Sequence, residues 1–195
     1  KGVMTDVYAL GAKATALTSG SKYILVNTRS GKPVTSASTS GGGASAGLLL
    51  NGSKNDAARA AIWTVTAVDG GYTVQDLDGN YMTIGSTTAG VTADPVTLAL
   101  NWRGSSWTIA KDGAYLNHFG GHSSTCAAGW QDYSASYDAG SQWEIYEVTV
   151  SQAENGTAIT FTGVGEGNTY VLIGGIVYDV TVTGGEEPIV NPFTD

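Results

Sequence analysis

Trp63-Thr64-Val65, Trp107-Thr108-Ile109 and Trp143-Glu144-Ile145 repeat one pattern, a tryptophan followed at the second position by Val or Ile. The three copies are separated by 44 and 36 residues. The first two are each followed by a turn and a strand pattern that begins with tyrosine, at Tyr72 and Tyr115. Repeats of about 40 residues, with roughly four strands each, predict a β-sheet closed with pseudo-threefold symmetry. Closure removes exposed sheet edges, and we expect the three tryptophan rings to fill a shared core.

The composition favours an all-β protein. Glycine accounts for 28 of 195 residues, 42% of the residues are hydrophobic and only 13% are charged. The apolar content is too high for a disordered chain, and Gly, Thr and Val are poor helix formers. Short strand patterns separated by turn signals indicate a sandwich or a barrel. The Gly/Ser/Ala-rich segments 40–47 and 120–129 are predicted to be long loops, and Asn51-Gly52 a hairpin turn.

The charge and cysteine content exclude several classes of partner. The net charge is −8, with 9 Lys and Arg against 17 Asp and Glu. Nucleic acids require a basic surface, so we expect no nucleic-acid partner. Cys126 is the single cysteine, no zinc-type spacing is present, and no metal or cofactor is predicted. No apolar run approaches the roughly 20 residues that span a bilayer, so no membrane insertion is expected.

Residues 20–147 resemble a ricin-type β-trefoil, the fold of many lectins and carbohydrate-binding modules. Each repeat in that family closes on a Gln-x-Trp motif. Here Gln142-Trp143 carries the motif without the intervening residue, and Ile62-Trp63 and Ser106-Trp107 stand at the same place in the other repeats. The resemblance implies a β-trefoil-like barrel of three repeats, followed by a small C-terminal β extension, and a non-catalytic, sugar-binding function.

Three segments are predicted. Residues 1–147 form the carbohydrate-binding barrel, residues 148–184 a small β spacer, and residues 185–195 a linker. The spacer resembles part of a bacterial immunoglobulin-like module, to which residues 1–12 would add a strand. Residues 191–195 resemble the opening of a surface-layer homology domain. Because the chain starts at Lys1 without a signal peptide, we expect a piece of a larger bacterial protein that is secreted or attached to the cell surface.

The candidate ligand site is the stretch 115–138. A sugar site needs an aromatic face for the C–H side of a pyranose and polar groups for its hydroxyls. The stretch is rich in both, and its candidate residues are Asn117, His118, His122, Trp130, Asp132, Tyr133, Tyr137 and Asp138. In the alternative interpretation, Trp130 and Tyr115 belong to the core and the other residues form a solvated loop.

The other two repeats offer weaker candidates. In the second repeat they are Trp102, which is out of phase with the repeated core Trp107, and Asp76, for which a tight hairpin is the alternative. The first repeat contains Asn27 and Arg29 but no spare aromatic residue, so it is expected to bind least.

No catalytic residue is predicted, since the chain has neither a Gly-x-Ser-x-Gly motif nor a recognisable pair of carboxylates. We therefore expect a lectin-like, non-catalytic carbohydrate-binding module of a larger protein that acts on glycans. Its ligand would be a plant polysaccharide or a host or mucin glycan, and the module would be a monomer tethered to other domains. The alternative is a structural spacer or protein-adhesion module without sugar binding.

Overall fold

A computed structural model describes residues 4–56, 59–121, 123–132, 134–154, 167–173 and 176–182. His122 and Tyr133, two of the candidate site residues, lie outside these ranges. The strands are β1 Met4–Lys13, β2 Ser21–Asn27, β3 Val34–Gly41, β4 Ala44–Leu50, β5 Ile62–Val68, β6 Gly71–Asp76, β7 Tyr81–Ile84, β8 Ala89–Thr92, β9 Ala99–Trp102, β10 Trp107–Lys111, β11 Ala114–Phe119, β12 Cys126–Trp130, β13 Trp143–Glu154, β14 Gly167–Ile173 and β15 Ile176–Val182. Within the described ranges the only helical elements are the 3-10 turns Lys54–Asp56, Arg59–Ala61 and Ala139–Ser141, and no helix is long and apolar enough to cross a membrane.

The chain divides into two compact units. One is Tyr8–Val150, and the other combines Lys1–Val7 with Ser151–Asp195. In the second unit β14 and β15 form an antiparallel hairpin whose register runs from Gly167 opposite Val182 to Ile173 opposite Ile176. The immunoglobulin-like and surface-layer resemblances remain predictions, and residues 155–166 and 183–195 lie outside the described ranges.

The main sheet closes by pairing the last strand of the third repeat with the first strand of the first repeat. In β13 and β2, Trp143 lies opposite Asn27 and Val148 opposite Lys22. β2 also pairs with β5, which pairs in turn with β6, and the whole sheet has 13 strands. This nearly closed sheet is the three-repeat barrel that the sequence predicts.

The three repeated tryptophans form the centre of the barrel. Trp63, Trp107 and Trp143 are buried in one apolar cluster. Each indole also donates a hydrogen bond to a backbone carbonyl oxygen: Trp63 Nε1 to Val34 at 3.0 Å, Trp107 Nε1 to Ala14 at 2.9 Å and Trp143 Nε1 to Leu116 at 2.9 Å. The prediction of a shared tryptophan core is confirmed.

The loop predicted at 40–47 is wrong in most of its length, and the loop predicted at 120–129 is wrong in its last four residues. Residues 40–47 include the tip of a β3–β4 hairpin and part of β4, while residues 126–129 belong to β12. β4 and β12 pair with each other, Ala127 opposite Leu48. A Cβ atom on Gly47 would lie only 2.3 Å from Cys126 Sγ. Small residues therefore permit the close approach of two strands, which overrides their low strand propensity.

The hairpin turn predicted at Asn51-Gly52 is also wrong. β4 already pairs with β3 and with β12, and the chain continues from Gly52 into the 3-10 turn Lys54–Asp56. Gly52 has a φ of 80°, a turn conformation that glycine adopts readily. This turn leads into the 3-10 turn and does not connect two paired strands.

Candidate functional site

A shallow cavity of about 230 Å³ opens where the first and third repeats meet. Its lining residues are Arg29, Asn117, His118, Phe119, Gly120, Gly121, Trp130 and Asp138. Arg29 follows β2, Asn117 to Phe119 end β11, and Trp130 ends β12. Four candidates from the sequence, Asn117, His118, Trp130 and Asp138, therefore line one cavity.

Asp138 is the centre of the polar side of the cavity. Its Oδ1 atom forms an ion pair with Arg29 Nη2 and accepts hydrogen bonds from Asn117 Nδ2 at 3.0 Å and from the backbone N–H of Gly140 at 2.7 Å. The last of these bonds caps the 3-10 turn Ala139–Ser141. No described residue donates to the Oδ2 atom of Asp138, so the carboxylate is fixed through one oxygen while the other remains an acceptor.

Arg29 and Asn117 are held by further contacts. The Arg29 guanidinium also donates from Nη1 to the carbonyl oxygen of His118 at 3.3 Å. Asn117 is buried and donates to Ser141 Oγ at 2.8 Å. Because each group makes two hydrogen bonds, the polar wall has a defined geometry before any ligand binds.

The segment that carries Asp138 is held by hydrogen bonds from Asn27 and Gln142. Asn27 Nδ2 donates to the carbonyl oxygen of Gly140 at 2.7 Å. Gln142, the glutamine of the Gln-Trp motif, donates from Nε2 to the carbonyl oxygen of Ser136 at 3.0 Å and accepts from Ser106 Oγ at 2.8 Å. The motif glutamine thus positions the loop that carries Asp138.

Two aromatic rings and a histidine complete the lining. Trp130 and Phe119 are both half-buried, so each keeps part of its ring surface exposed. His118 is fully buried, with its Nε2 atom 2.7 Å from the carbonyl oxygen of Ser124. Its Nδ1 atom is buried and has no hydrogen-bond partner in the described structure. Apolar rings beside fixed polar groups form an arrangement suited to a small polyhydroxylated ligand.

Two other described candidates of the third repeat, Asp132 and Tyr137, do not line the cavity. Asp132 is exposed, and its Oδ1 accepts from the N–H and Oγ of Ser134, both at 2.9 Å. Tyr137 precedes Asp138 and is 63% exposed. His122 and Tyr133 lie outside the described residues.

The two candidates of the second repeat have structural contacts instead. Trp102 is half-buried against the core, with its ring centroid 5.4 Å from that of Trp107. Asp76 is buried, and its Oδ1 accepts from the N–H groups of Asp78 at 2.9 Å and Asn80 at 2.8 Å. These hydrogen bonds close a tight hairpin, which is the alternative interpretation of Asp76.

Four cavity residues are not among the site residues predicted from the sequence: Arg29, Phe119, Gly120 and Gly121. Of these, Arg29 comes from the first repeat. The first repeat was expected to bind least because it has no spare aromatic residue. Closure of the sheet through β13 and β2 places its β2–β3 turn beside the third repeat, so the first repeat supplies a cation rather than a ring. Among the described residues no group of three His, Cys, Asp or Glu side chains could hold a metal ion.

Similarity to known proteins is found in structure alone. No protein-family model and no curated protein sequence matches the chain. The ricin B-like lectin of Macrolepiota procera, solved in complex with lactose, superposes with a TM-score of 0.55 and 14% identity, over 67% of this chain and 97% of the lectin. The fold is that of ricin B-like β-trefoils. The predicted fold class is thereby confirmed.

Two further structures agree with this assignment. The Rhizoctonia solani agglutinin has a TM-score of 0.51 and 14% identity, over 69% of this chain and 99% of the agglutinin. The Polyporus squamosus lectin, bound to a human-type influenza-binding epitope, has a TM-score of 0.52 and 15% identity, over 67% of this chain and 50% of the lectin. At these identities the β-trefoil fold is what the proteins share.

Proposed function

We propose that the β-trefoil unit is a non-catalytic carbohydrate-binding module whose ligand binds in the cavity between Trp130, Asp138 and Arg29. The observation that carries the proposal is the pairing of half-exposed aromatic rings with a carboxylate that is fixed through one oxygen. In the larger protein that the sequence predicts, secreted or at a bacterial cell surface, such a module would raise the local concentration of glycan near a neighbouring domain.

The chemistry of the lining suits a sugar. The faces of Trp130 and Phe119 offer apolar surface to the C–H side of a pyranose ring. No described residue donates to Asp138 Oδ2, so this atom can accept from a sugar hydroxyl, and charge-assisted hydrogen bonds of this kind are stronger than neutral ones. The complex of the Macrolepiota procera lectin with lactose adds support for a glycan ligand on this fold.

The size of the cavity limits what it holds. Its volume of about 230 Å³ is below the roughly 300 Å³ at which pockets for drug-sized ligands begin. We therefore expect recognition of one sugar ring, or the end of a chain, with a Kd between micromolar and millimolar, or about −4 to −8 kcal/mol.

A glycan array covering plant, host and mucin glycans tests the proposal. We expect wild-type protein to bind, and Trp130→Ala and Asp138→Asn to lose at least 10-fold in affinity. Asp132→Ala is the matched control, because this exposed carboxylate is close in sequence but does not line the cavity. Thermal unfolding of each variant confirms that it is folded.

The outcomes separate the two interpretations. Binding that survives in both cavity variants would place the ligand elsewhere on the protein. A folded wild-type protein that binds no glycan would overturn the proposal and favour the structural spacer or protein-adhesion module.

A further inference from the structure

The outer face of the β11–β12 hairpin carries part of the cavity and continues beyond it. Ala114 and Leu116 of β11 belong to the barrel core. Because successive side chains of a strand point to opposite faces, Tyr115 lies on the outer face together with Asn117, two positions further along the strand. Asn117 lines the cavity and Tyr115 does not. Tyr115 is therefore the next outer-face residue beside the site.

Tyr115 is also the neighbour of Trp130 across the hairpin. The two residues lie opposite each other in the register of β11 and β12, which places their Cβ atoms about 4.5–5.5 Å apart on the same face. Both side chains are half-buried. The contacts of the described residues include no stacking between these two rings. The rings therefore lie side by side, and each keeps part of its surface exposed.

The polar atoms of these two rings have no partner in the protein. Each of the three core tryptophans donates from Nε1 to a backbone carbonyl oxygen. Neither Nε1 of Trp130 nor the hydroxyl of Tyr115 makes a hydrogen bond in the described part of the chain. Both atoms are accessible, since His118 Nδ1 is the one buried polar side-chain atom without a partner there. A donor and a hydroxyl are thus available to a ligand on this face.

Small side chains flank Tyr115 on the side away from Trp130. In β10 the residue opposite Tyr115 is Ala110, and in β9 the residue opposite Ala110 is Ala99, which is exposed. A methyl group is too short to cover a tyrosine ring, so the ring remains open to solvent from this side.

We propose that the glycan site extends from the cavity onto Tyr115, whose ring and hydroxyl bind a second sugar. The cavity of about 230 Å³ holds one ring, so a longer glycan has to leave it along an adjoining surface. Trp130 and Tyr115 supply such a surface, and their aromatic rings with free polar atoms suit the C–H face and the hydroxyls of a pyranose. The inference rests on the proposed function and specifies its ligand class as oligosaccharides of at least two rings.

Calorimetric titration with three pairs of sugars tests the second contact. The pairs are galactose and lactose, glucose and cellobiose, and N-acetylglucosamine and chitobiose. For the pair that binds, we expect the wild-type protein to prefer the disaccharide over the monosaccharide by about 5-fold or more. Tyr115→Ala should remove this preference by weakening the disaccharide alone, while Tyr115→Phe, which keeps the ring, should retain most of it.

Tyr137→Ala is the matched control. Tyr137 is the same type of residue and precedes the cavity residue Asp138, but it is 63% exposed and does not line the cavity. Its loss should leave both affinities unchanged. Asp138→Asn acts inside the cavity and should weaken both sugars of the pair together. Thermal unfolding confirms that each variant is folded.

Several outcomes would overturn the inference but not the proposed function. These are equal affinity for the two sugars of every pair, a preference that survives Tyr115→Ala, and a preference that is lost in Tyr137→Ala. A parallel loss of both sugars in Tyr115→Ala would also overturn it, since Tyr115 would then only position Trp130. A protein that binds none of the six sugars would overturn the inference, and one that is negative on the array as well would overturn both.

Discussion

Arg29 and Asp138 are 109 residues apart in the chain and form an ion pair on the wall of the cavity. Arg29 belongs to the first repeat and Asp138 to the third, so the pair joins the first and last repeats beside the pairing of β13 with β2. The two side chains are 18% and 24% exposed, and the same carboxylate oxygen also accepts from Asn117 and Gly140. The candidate site is therefore shared by two repeats.

Arg29→Met tests the importance of this pair. The substitution removes the charge and leaves the carboxylate of Asp138 mostly buried beside two neutral donors. We expect the free energy of unfolding to fall by about 1–3 kcal/mol, together with loss of glycan binding. Arg59→Met is the control, since its ion pair with Asp78 is 57% and 67% exposed and should contribute less than about 1 kcal/mol. If urea denaturation shows that Arg29→Met and Arg59→Met lose the same unfolding free energy, the expectation is contradicted.

The rim of the cavity depends on a contact between two glycine backbones. A Cβ atom on Gly42, whose φ is +63°, would lie 2.5 Å from Gly120 Cα and 2.6 Å from the carbonyl oxygen of Phe119. Gly42→Ala should therefore displace the rim, weaken glycan binding at least 10-fold, and cost about 1–3 kcal/mol more than its control. The control is Gly70→Ala, which also places alanine at a positive φ, +79°, but meets nothing within 4 Å. If calorimetric titration gives both variants the same glycan affinity, the contact between Gly42 and Gly120 does not determine the shape of the cavity rim.

The tryptophan core was predictable because its signal is periodic and local. Each copy of Trp63, Trp107 and Trp143 carries its own strand pattern, and the spacing alone gives the number of repeats. Asn117, Trp130 and Asp138 were predictable for a similar reason, since one stretch of sequence contains them. Arg29 reaches the site through the pairing of β13 with β2. That long-range pairing leaves no mark in the sequence around Arg29.

The errors concerning strands have a different origin. Gly47, Ala127 and Gly129 have low strand propensity, and sequence reasoning assigned them to loops. In the structure a Cβ atom on Gly129 would lie 1.7 Å from the carbonyl oxygen of Gly85. Their small size is required by neighbours that are remote in sequence, so propensity alone cannot identify these strands.

The hydrogen bond from Trp143 to the backbone provides a test of the core. In Trp143→Phe the ring remains apolar, but the carbonyl oxygen of Leu116 loses the indole donor at 2.9 Å. We expect a loss of about 1–3 kcal/mol in the free energy of unfolding. Trp102→Phe serves for comparison, because that half-buried ring lies at the edge of the core and should cost less than about 1 kcal/mol. Urea denaturation of both variants checks this expectation, since Trp143→Phe should lose more unfolding free energy than Trp102→Phe.

Glu144 should contribute to the acid sensitivity of the barrel. The hydrogen bond from Lys13 Nζ at 2.7 Å, followed by that from Tyr146, lowers the pKa of Glu144 below its ordinary value of 4.5. Its contribution is therefore present above pH 4.5 and is lost as the pH falls through the lower folded value. Because Glu144 is about one third exposed, Glu144→Gln should cost less than about 1 kcal/mol at neutral pH and flatten the stability profile below pH 4.5. Glu147→Gln, at an exposed position, provides the reference profile. If the unfolding free energies of Glu144→Gln and Glu147→Gln change with pH at the same slope below pH 4.5, the role of Glu144 is contradicted.

Cys126 reports on the close pairing of β4 with β12. The residue is 1% exposed, and burial raises the pKa of its thiol. A thiol reagent at pH 8 should therefore not react with the native protein and should react once it is unfolded. In Gly47→Ala the new Cβ would lie 2.3 Å from Sγ and 2.7 Å from the carbonyl oxygen of Ala127. We expect the strands to separate, the thiol to become reactive, and stability to fall by about 1–3 kcal/mol.

Two variants make this last test specific. Gly90→Ala introduces the same methyl group into β8, where a Cβ atom meets nothing within 4 Å, and it should leave Cys126 protected. Adding Cys126→Ala to Gly47→Ala removes the sulfur contact and keeps the one with the Ala127 carbonyl, so stability should recover in part. A thiol that stays unreactive in Gly47→Ala, with stability equal to that of Gly90→Ala, would show that β4 and β12 are less tightly packed than this contact requires.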